Sequence, residues 1–173
     1  MQYASSTYLL TAAMVILLGT SVATLTRAEE KEAQLHARQE EVAQRGATVM
    51  PFDLSRTTHV FDDEADGGLQ TVTANNASDT AQIELIRYHL ADEVNRFARG
   101  NFADPAWIHG AAMPGLTELS RAYPKLKMNY QVLPTGASVK YTSEDPALVA
   151  AIHHWFAAQR VEHAAHGEMQ HHP

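Results

Sequence analysis

Two stretches of this 173-residue chain share the same order of β-prone segments and helix, and this repeat constrains the fold more than any other feature. In the first stretch, residues 57–61 and 69–74 alternate as strands do, on either side of an acidic turn at residues 62–68. In the second, residues 127–133 and 137–142 alternate around a Pro-Thr-Gly turn. Each stretch therefore predicts a β-hairpin.

Each predicted hairpin is followed by a helix that begins at an aspartate. Asp79 is expected to cap the first helix, with Gln82 completing a capping box, and Gly100 is expected to end it. Asp145 and Pro146 mark the start of the second helix. The pattern predicts an α+β fold in which a duplicated ββα unit forms a four-stranded antiparallel sheet with both helices on one face.

The segment between the two halves is broken by glycine and proline. Residues 101–115 are expected to form an irregular loop, followed by a short helix within residues 116–125. Because loops held on a rigid scaffold often carry function, His109 in this loop is a candidate site residue.

The N-terminal stretch is a hydrophobic segment typical of export. Residues 8–25 contain no charged side chain, which suits a cleaved signal peptide or an uncleaved membrane anchor. Arg27 follows the apolar run, whereas a signal peptide normally places positive charge before it. Residues 1–28 are predicted to be a signal peptide or anchor. The domain is then periplasmic or secreted, or held at the inner membrane by residues 8–25, and a cytoplasmic domain is the less favoured alternative.

The rest of the chain is long enough for one domain. Residues 29–48 are rich in helix formers but poor in apolar positions, which predicts a solvated helical tether. The α+β domain is expected over residues 49–166, and residues 167–173 form a tail that carries histidine and methionine.

Composition excludes several classes of function. The net charge of −7 argues against nucleic acid or an anionic membrane surface as a partner, which leaves membrane contact to an uncleaved leader. The absence of cysteine from the sequence removes disulfides, thiolate catalysis, iron–sulfur clusters and cysteine-based zinc sites. The sequence also lacks the common nucleophile-elbow, phosphate-loop and zincin motifs, so no enzymatic activity is predicted.

Ten histidines are the main indication of function. His163 and His166 lie three residues apart on the last predicted helix, where side chains are neighbours, and Met169, His171 and His172 follow. Histidine with methionine and without cysteine suits copper, with zinc or nickel as alternatives that imidazole alone can bind. A polar tail whose histidines have no function is the favoured interpretation of the last residues.

Four segments carry a resemblance to known proteins: MPFDLSRTTHVF (50–61), DTAQIELIRYHL (79–90), FARGNFADPAWIHG (97–110) and DPALVAAIHHWFAAQRVEH (145–163). They resemble a family of small exported bacterial proteins of uncharacterised function with a TTHxF motif. Some members carry the label aspartate carbamoyltransferase. That activity is not expected here, because it needs two substantial domains around carbamoyl phosphate. The family pattern has a second histidine where this chain has Val60.

The resemblance implies which histidines to prefer, since His59, His109, His153 and His163 fall at matching positions. Our leading hypothesis is an exported domain that binds copper or zinc through these four residues. One alternative is a structural or protein-interaction module whose histidines only pack, and another is a small-ligand binder or enzyme with a site near residues 101–115.

Overall fold

A computed structural model describes the backbone of residues 8–163 and the side chains of residues 27–163. The helices and strands are α1 (Tyr8–Gly46), β1 (Thr57–Glu64), β2 (Gly67–Ala74), α2 (Thr80–Phe97), α3 (Ala103–His109), α4 (Leu116–Arg121), β3 (Lys127–Leu133), β4 (Gly136–Thr142) and α5 (Pro146–His163). Single 3-10 turns at Leu54–Arg56 and Tyr123–Lys125 precede β1 and β3. The predicted α+β class is confirmed.

The chain divides into two compact units, residues 1–37 and residues 38–173. Within the described part of the chain, no helix combines the length and the hydropathy that a membrane span requires. The side chains of the predicted leader up to residue 26 lie outside the described residues. So do the predicted tail ligands His166, Met169, His171 and His172.

The second unit begins at Arg38 rather than at residue 49, because the end of α1 packs into the domain. Val42 is fully buried and Gln39 nearly so. The Gln39 side-chain amide donates to the carbonyl of Val161 at the end of α5, at 2.7 Å. Residues 38–46 are therefore part of the domain and not a solvated tether.

The four strands form one antiparallel sheet in the order β1-β2-β4-β3, which confirms the predicted sheet. The two hairpins join through β2 and β4, where Gln70 lies opposite Val139. In β2 and β4 the residues that point to one face of the sheet are buried, including Val72, Val139 and Tyr141. That face lies over the core, because alternate side chains of a strand point to opposite sides.

Helices α2 and α5 cover the buried face of the sheet, and each lies over the hairpin of the other half. α2 packs mainly against β4, with further contacts to β2 and β3, whereas α5 packs against β1 and β2. Trp155 and Phe156 of α5 are almost completely buried among these strands. The two halves therefore share one core, because the hairpin of each half is covered by the helix of the other half.

Three local predictions were wrong. The expected acidic turn over residues 62–68 is mostly strand, since β1 runs to Glu64 and β2 starts at Gly67. The expected loop over residues 101–115 contains helix α3, whose Pro105 sits in the first turn, where proline is tolerated. Gln82 does not complete the capping box. Asp79 caps α2 as predicted, but the Gln82 amide instead bonds the backbone N–H and C=O of Asp53.

Candidate functional site

Three histidine rings from three separate elements meet at the edge of the core. The rings of His59 and His163 are stacked, with centroids 5.4 Å apart and planes at 19°. The ring of His109 stands edge-on to that of His163, with centroids 5.1 Å apart and planes at 75°. We call these three residues the histidine cluster.

Local sequence explains how each ring reaches the cluster. His59 shares the core-facing side of β1 with Thr57 and Phe61, since strand side chains alternate. His163 continues the buried stripe of α5 at a spacing of four from Gln159. His109 is the last residue of α3, which ends at Gly110 with a φ of 85°. The cluster thus depends on β1, α3 and α5 together.

A carboxylate and a guanidinium hold His109 in place. Glu162 accepts from His109 Nδ1 at 2.5 Å and from Arg38 Nε at 2.9 Å. Arg38 also donates to the His109 carbonyl at 2.6 Å. Burial on its own raises the pKa of Glu162, but these hydrogen bonds outweigh it and hold the pKa below its ordinary value. Glu162 therefore stays ionised and orients the imidazole.

The contact with Glu162 sets the tautomer of His109. With Nδ1–H donated to the carboxylate, the neutral ring carries its lone pair on Nε2. A carboxylate that orients an imidazole in this way is the usual outer partner of a metal-ligating histidine. Nε2 is therefore the nitrogen of His109 that can bind a proton or a metal ion.

The structure places His153 away from the other three predicted site residues. Its Nε2 lies 2.9 Å from the Glu64 carbonyl and 2.8 Å from the Gly67 carbonyl, at the turn between β1 and β2. A ring nitrogen between two carbonyl oxygens must carry the proton, so it is a donor and not a metal ligand. His153 thus stabilises the hairpin turn through Nε2, and the structure does not bring it together with the other three histidines predicted as ligands.

The histidine cluster borders a cavity of about 40 Å³ between the sheet, α2, α3 and α5. Its aromatic and aliphatic walls include Phe52, Phe61 and Leu90. A fourth histidine, His89, also lines the cavity, and burial lowers its pKa. Each water needs roughly 10–15 Å³ of such space, so the cavity suits an ion or a molecule of only a few heavy atoms.

A buried carboxyl group, Glu93, lies in the same cavity wall. Burial raises the pKa of Glu93 to about 7, even though a hydrogen bond to Tyr141 opposes this. The Tyr141 hydroxyl lies 2.7 Å from Glu93 Oε1 and 2.8 Å from Gln70 Oε1. One hydroxyl proton cannot serve both oxygens. Two arrangements satisfy all three groups: a protonated Glu93 that donates to Tyr141, or a Gln70 amide turned so that its NH2 donates to Tyr141 while Tyr141 donates to Glu93.

Two further polar groups in the cavity lining lack partners among the described residues. They are the indole Nε1 of Trp155 and the amide Oε1 of Gln159, one turn apart on α5. Leaving a buried polar group without a hydrogen bond costs about 1–3 kcal/mol. These two atoms therefore mark the cavity as a place where a polar occupant is favoured.

Sequence reasoning missed Glu93, Glu162 and Gln159 as residues of the site. Glu93 and Glu162 lie on helices, where glutamate side chains are mostly exposed to solvent. One local signal was present: Gln159 falls on the apolar stripe of α5 between Phe156 and His163. A polar residue in such a stripe indicates either a buried hydrogen bond or a site.

The described residues contain no group of three or more His, Cys, Asp or Glu side chains arranged to hold a metal ion as they stand. No protein-family model, curated protein or solved structure matches the chain. The proposals below therefore depend on the chemistry of the cavity itself.

Proposed function

We propose that this protein is an exported domain that binds copper or zinc through His59, His109 and His163. The observation that carries the proposal is the meeting of three imidazoles from β1, α3 and α5 beside a cavity, one of them oriented by Glu162. Compared with the four ligands expected from the sequence, the proposal omits His153.

The separations of the His163 ring from the His59 and His109 rings are close to those of imidazoles that share one metal ion. A nitrogen binds zinc at about 2.0–2.1 Å and the ring centre lies roughly 1.2 Å beyond it, so metal and centroid are about 3.2 Å apart. Two such rings at a tetrahedral angle have centroids about 5.2 Å apart. The observed separations are 5.4 Å and 5.1 Å. Binding then needs rotation of the side chains so that their nitrogens converge, with little movement of the backbone.

The surroundings support a nitrogen site for a borderline or soft metal. Imidazole ligands suit copper, zinc and nickel, whereas calcium and magnesium prefer oxygen. Phe52 and Phe61 pack within 6.5 Å of the His59 ring and limit access of water to it. An aromatic wall of this kind, together with the Glu162 carboxylate, strengthens a histidine site from outside the ligand set.

The test is a competition titration of the full chain with Cu(I), Cu(II) and Zn(II) against a chelator. His59→Ala, His109→Ala and His163→Ala are each expected to weaken binding at least a hundredfold, because each removes one of three ligands. His154→Ala is the matched control, since His154 is exposed on the same helix as His163. His153→Ala is expected to leave the metal affinity unchanged.

A triple variant of His166, His171 and His172 separates the cluster from the tail. If one metal ion per chain still binds tightly to that variant, the site lies in the folded domain. Binding that disappears with the tail histidines, or that survives loss of His59 and His163, would contradict the proposal.

A further inference from the structure

The cavity offers an unusual combination of buried hydrogen-bonding groups that the histidine cluster does not use. Trp155 is 1% exposed and Gln159 is 6% exposed, so neither can turn outward to water. Within residues 27–163, neither the indole Nε1 nor the amide Oε1 has a hydrogen-bond partner. Both side chains line the cavity. They call for an occupant that supplies the missing bonds.

The two groups have different chemistry and lie on the same side of α5. Residues four apart on a helix are neighbours, so Trp155 and Gln159 act on the same part of the cavity. An indole N–H can only donate, whereas a glutamine amide can accept through its oxygen or donate through its nitrogen. The occupant must therefore carry an acceptor for Trp155 and, for the observed Gln159 oxygen, a donor.

Charge on the cavity wall restricts the occupant further. The carboxylates of Asp92 and Asp104 line it together with Arg96, whose guanidinium is already paired with Asp104 and lies 3.7 Å from Asp92. Carboxyl groups thus outnumber the arginine, which disfavours an anion. A simple cation cannot accept the hydrogen bond that Trp155 offers. A neutral molecule fits both conditions.

We propose that this cavity binds a small neutral molecule of the primary-amide type between Trp155 and Gln159. The carbonyl of the amide accepts from Trp155 Nε1–H and its NH2 group donates to Gln159 Oε1. The cavity volume of about 40 Å³ admits formamide or acetamide, since it matches roughly three waters at about 10–15 Å³ each. Drug-sized ligands need roughly 300–1,000 Å³ and do not fit.

This proposal uses different side chains from the metal proposal, although both sets of side chains line one cavity and Gln159 lies one helical turn before His163. It uses an indole and an amide of α5, whereas metal binding uses the three imidazoles. The amide titration is made on the metal-free chain and does not alter the imidazoles, so either proposal can fail while the other is still supported. The two proposals are therefore tested separately.

The experiment is a titration of the full metal-free chain with acetamide, acetone and acetate, followed by 1H–15N NMR. These solutes have the same shape, but acetone lacks the N–H donor and acetate carries a negative charge. The chain has two tryptophans, Trp107 and Trp155. Trp107 is 60% exposed, so its indole resonance is an internal control for unspecific effects.

Acetamide is expected to shift the Trp155 indole resonance to saturation, with a Kd on the order of a millimolar for so small a ligand. Acetone is expected to bind at least tenfold more weakly and acetate not at all. Gln159→Met, which keeps length and removes the amide, is expected to weaken acetamide binding at least tenfold. In Trp155→Phe, followed through the Gln159 side-chain amide, the same loss is expected.

Several results would overturn the proposal. A Trp155 resonance that none of the three solutes moves means that the cavity holds water alone. Equal saturation by all three means that hydrogen bonding does not select the ligand. An undiminished response to acetamide in Gln159→Met would remove that residue from the site. The comparison of solutes on the unaltered protein stands even if a variant does not fold.

Discussion

Glu93 and Glu162 are both largely buried glutamates on helices, yet their surroundings shift their pKa values in opposite directions. Glu93 has a single hydroxyl as hydrogen-bond partner at 2.7 Å, and burial raises its pKa to about 7. Burial acts on Glu162 in the same sense, but bonds from His109 and Arg38 lower its pKa below the ordinary value. The two residues therefore affect stability in different ranges of pH.

Replacing Glu93 with glutamine is expected to stabilise the protein at alkaline pH. Between pH 4.5, the ordinary value for glutamate, and about 7 the unfolded chain releases a proton that the folded chain retains. The free energy of unfolding therefore falls as pH rises through this range. Glu93→Gln removes that loss, and we expect a gain on the order of 1–3 kcal/mol at pH 8 that shrinks towards pH 5. Urea unfolding at both values measures it.

Glu84→Gln is the matched control for this prediction, because Glu84 is exposed on the same helix. The control is expected to change stability equally at pH 5 and pH 8. A Glu93→Gln variant whose gain does not grow with pH would contradict the raised pKa of Glu93.

Glu162→Gln is expected to change the pH dependence of stability at acidic rather than alkaline pH, and also to lower the metal affinity. The depressed pKa of Glu162 means that its contribution is present above pH 4.5 and is lost as pH falls through the folded value. The variant should be less stable by about 1–3 kcal/mol at pH 7, because it breaks charge-assisted hydrogen bonds. The difference should narrow below pH 4. Metal affinity should fall about 10–100-fold.

At the scale of elements, the start of α4 is fixed by its close approach to α5. Gly115 has a φ of 79°, and a Cβ there would lie 2.1 Å from the carbonyl oxygen of Ala151. Because that oxygen belongs to helix backbone, it cannot move aside as a side chain can. The contact holds the segment after α3 against α5, and this helps to position His109 beside His163.

Gly115→Ala is therefore expected to destabilise the protein by more than about 2 kcal/mol, through the positive φ and the clash with α5. Gly46→Ala is the control, since that buried glycine needs no positive φ and a Cβ there would meet only side-chain ends, those of Leu54 at 3.2 Å and Met50 at 3.9 Å. The control should change stability by less than about 1 kcal/mol. Thermal unfolding of both variants measures the difference. Equal effects would contradict a rigid contact between α4 and α5.

Elements were easier to predict from the sequence than the site, for a physical reason. Alternation in β3 and β4 and the apolar stripe of α2 are local patterns, so each appears within one segment. Arg38 and Glu162 are 124 residues apart, and their pairing exists only after the chain has folded. Helix α3 was missed because Pro105 and Gly110 indicate a break, although both lie at ends of the helix where they are tolerated.

At the scale of the whole molecule, the end of α1 is part of the folded domain. Val42 is fully buried, and Arg38 reaches both Glu162 and the His109 carbonyl. The sequence did not show this, because two or three buried positions in a helix rich in charge leave only a weak apolar stripe.

Val42→Ala is expected to lower the free energy of unfolding by about 1–3 kcal/mol, since it removes two buried methyl groups and leaves space behind. Val161→Ala removes the same atoms from a position that is 51% exposed, and should cost less than about 0.5 kcal/mol. Chemical unfolding of the two variants compares them. If both cost the same, residues 38–46 behave as a tether after all.

His163 is the last residue of α5, and it follows the strands and most of the core along the chain. A ribosome that stops one helical turn before the end of α5 would release a product that still contains all four strands, Trp155 and Phe156. That product would lack both Glu162 and His163, which are needed for the proposed metal site. Metal uptake would therefore report whether translation had passed His163, even where the shortened product still folds.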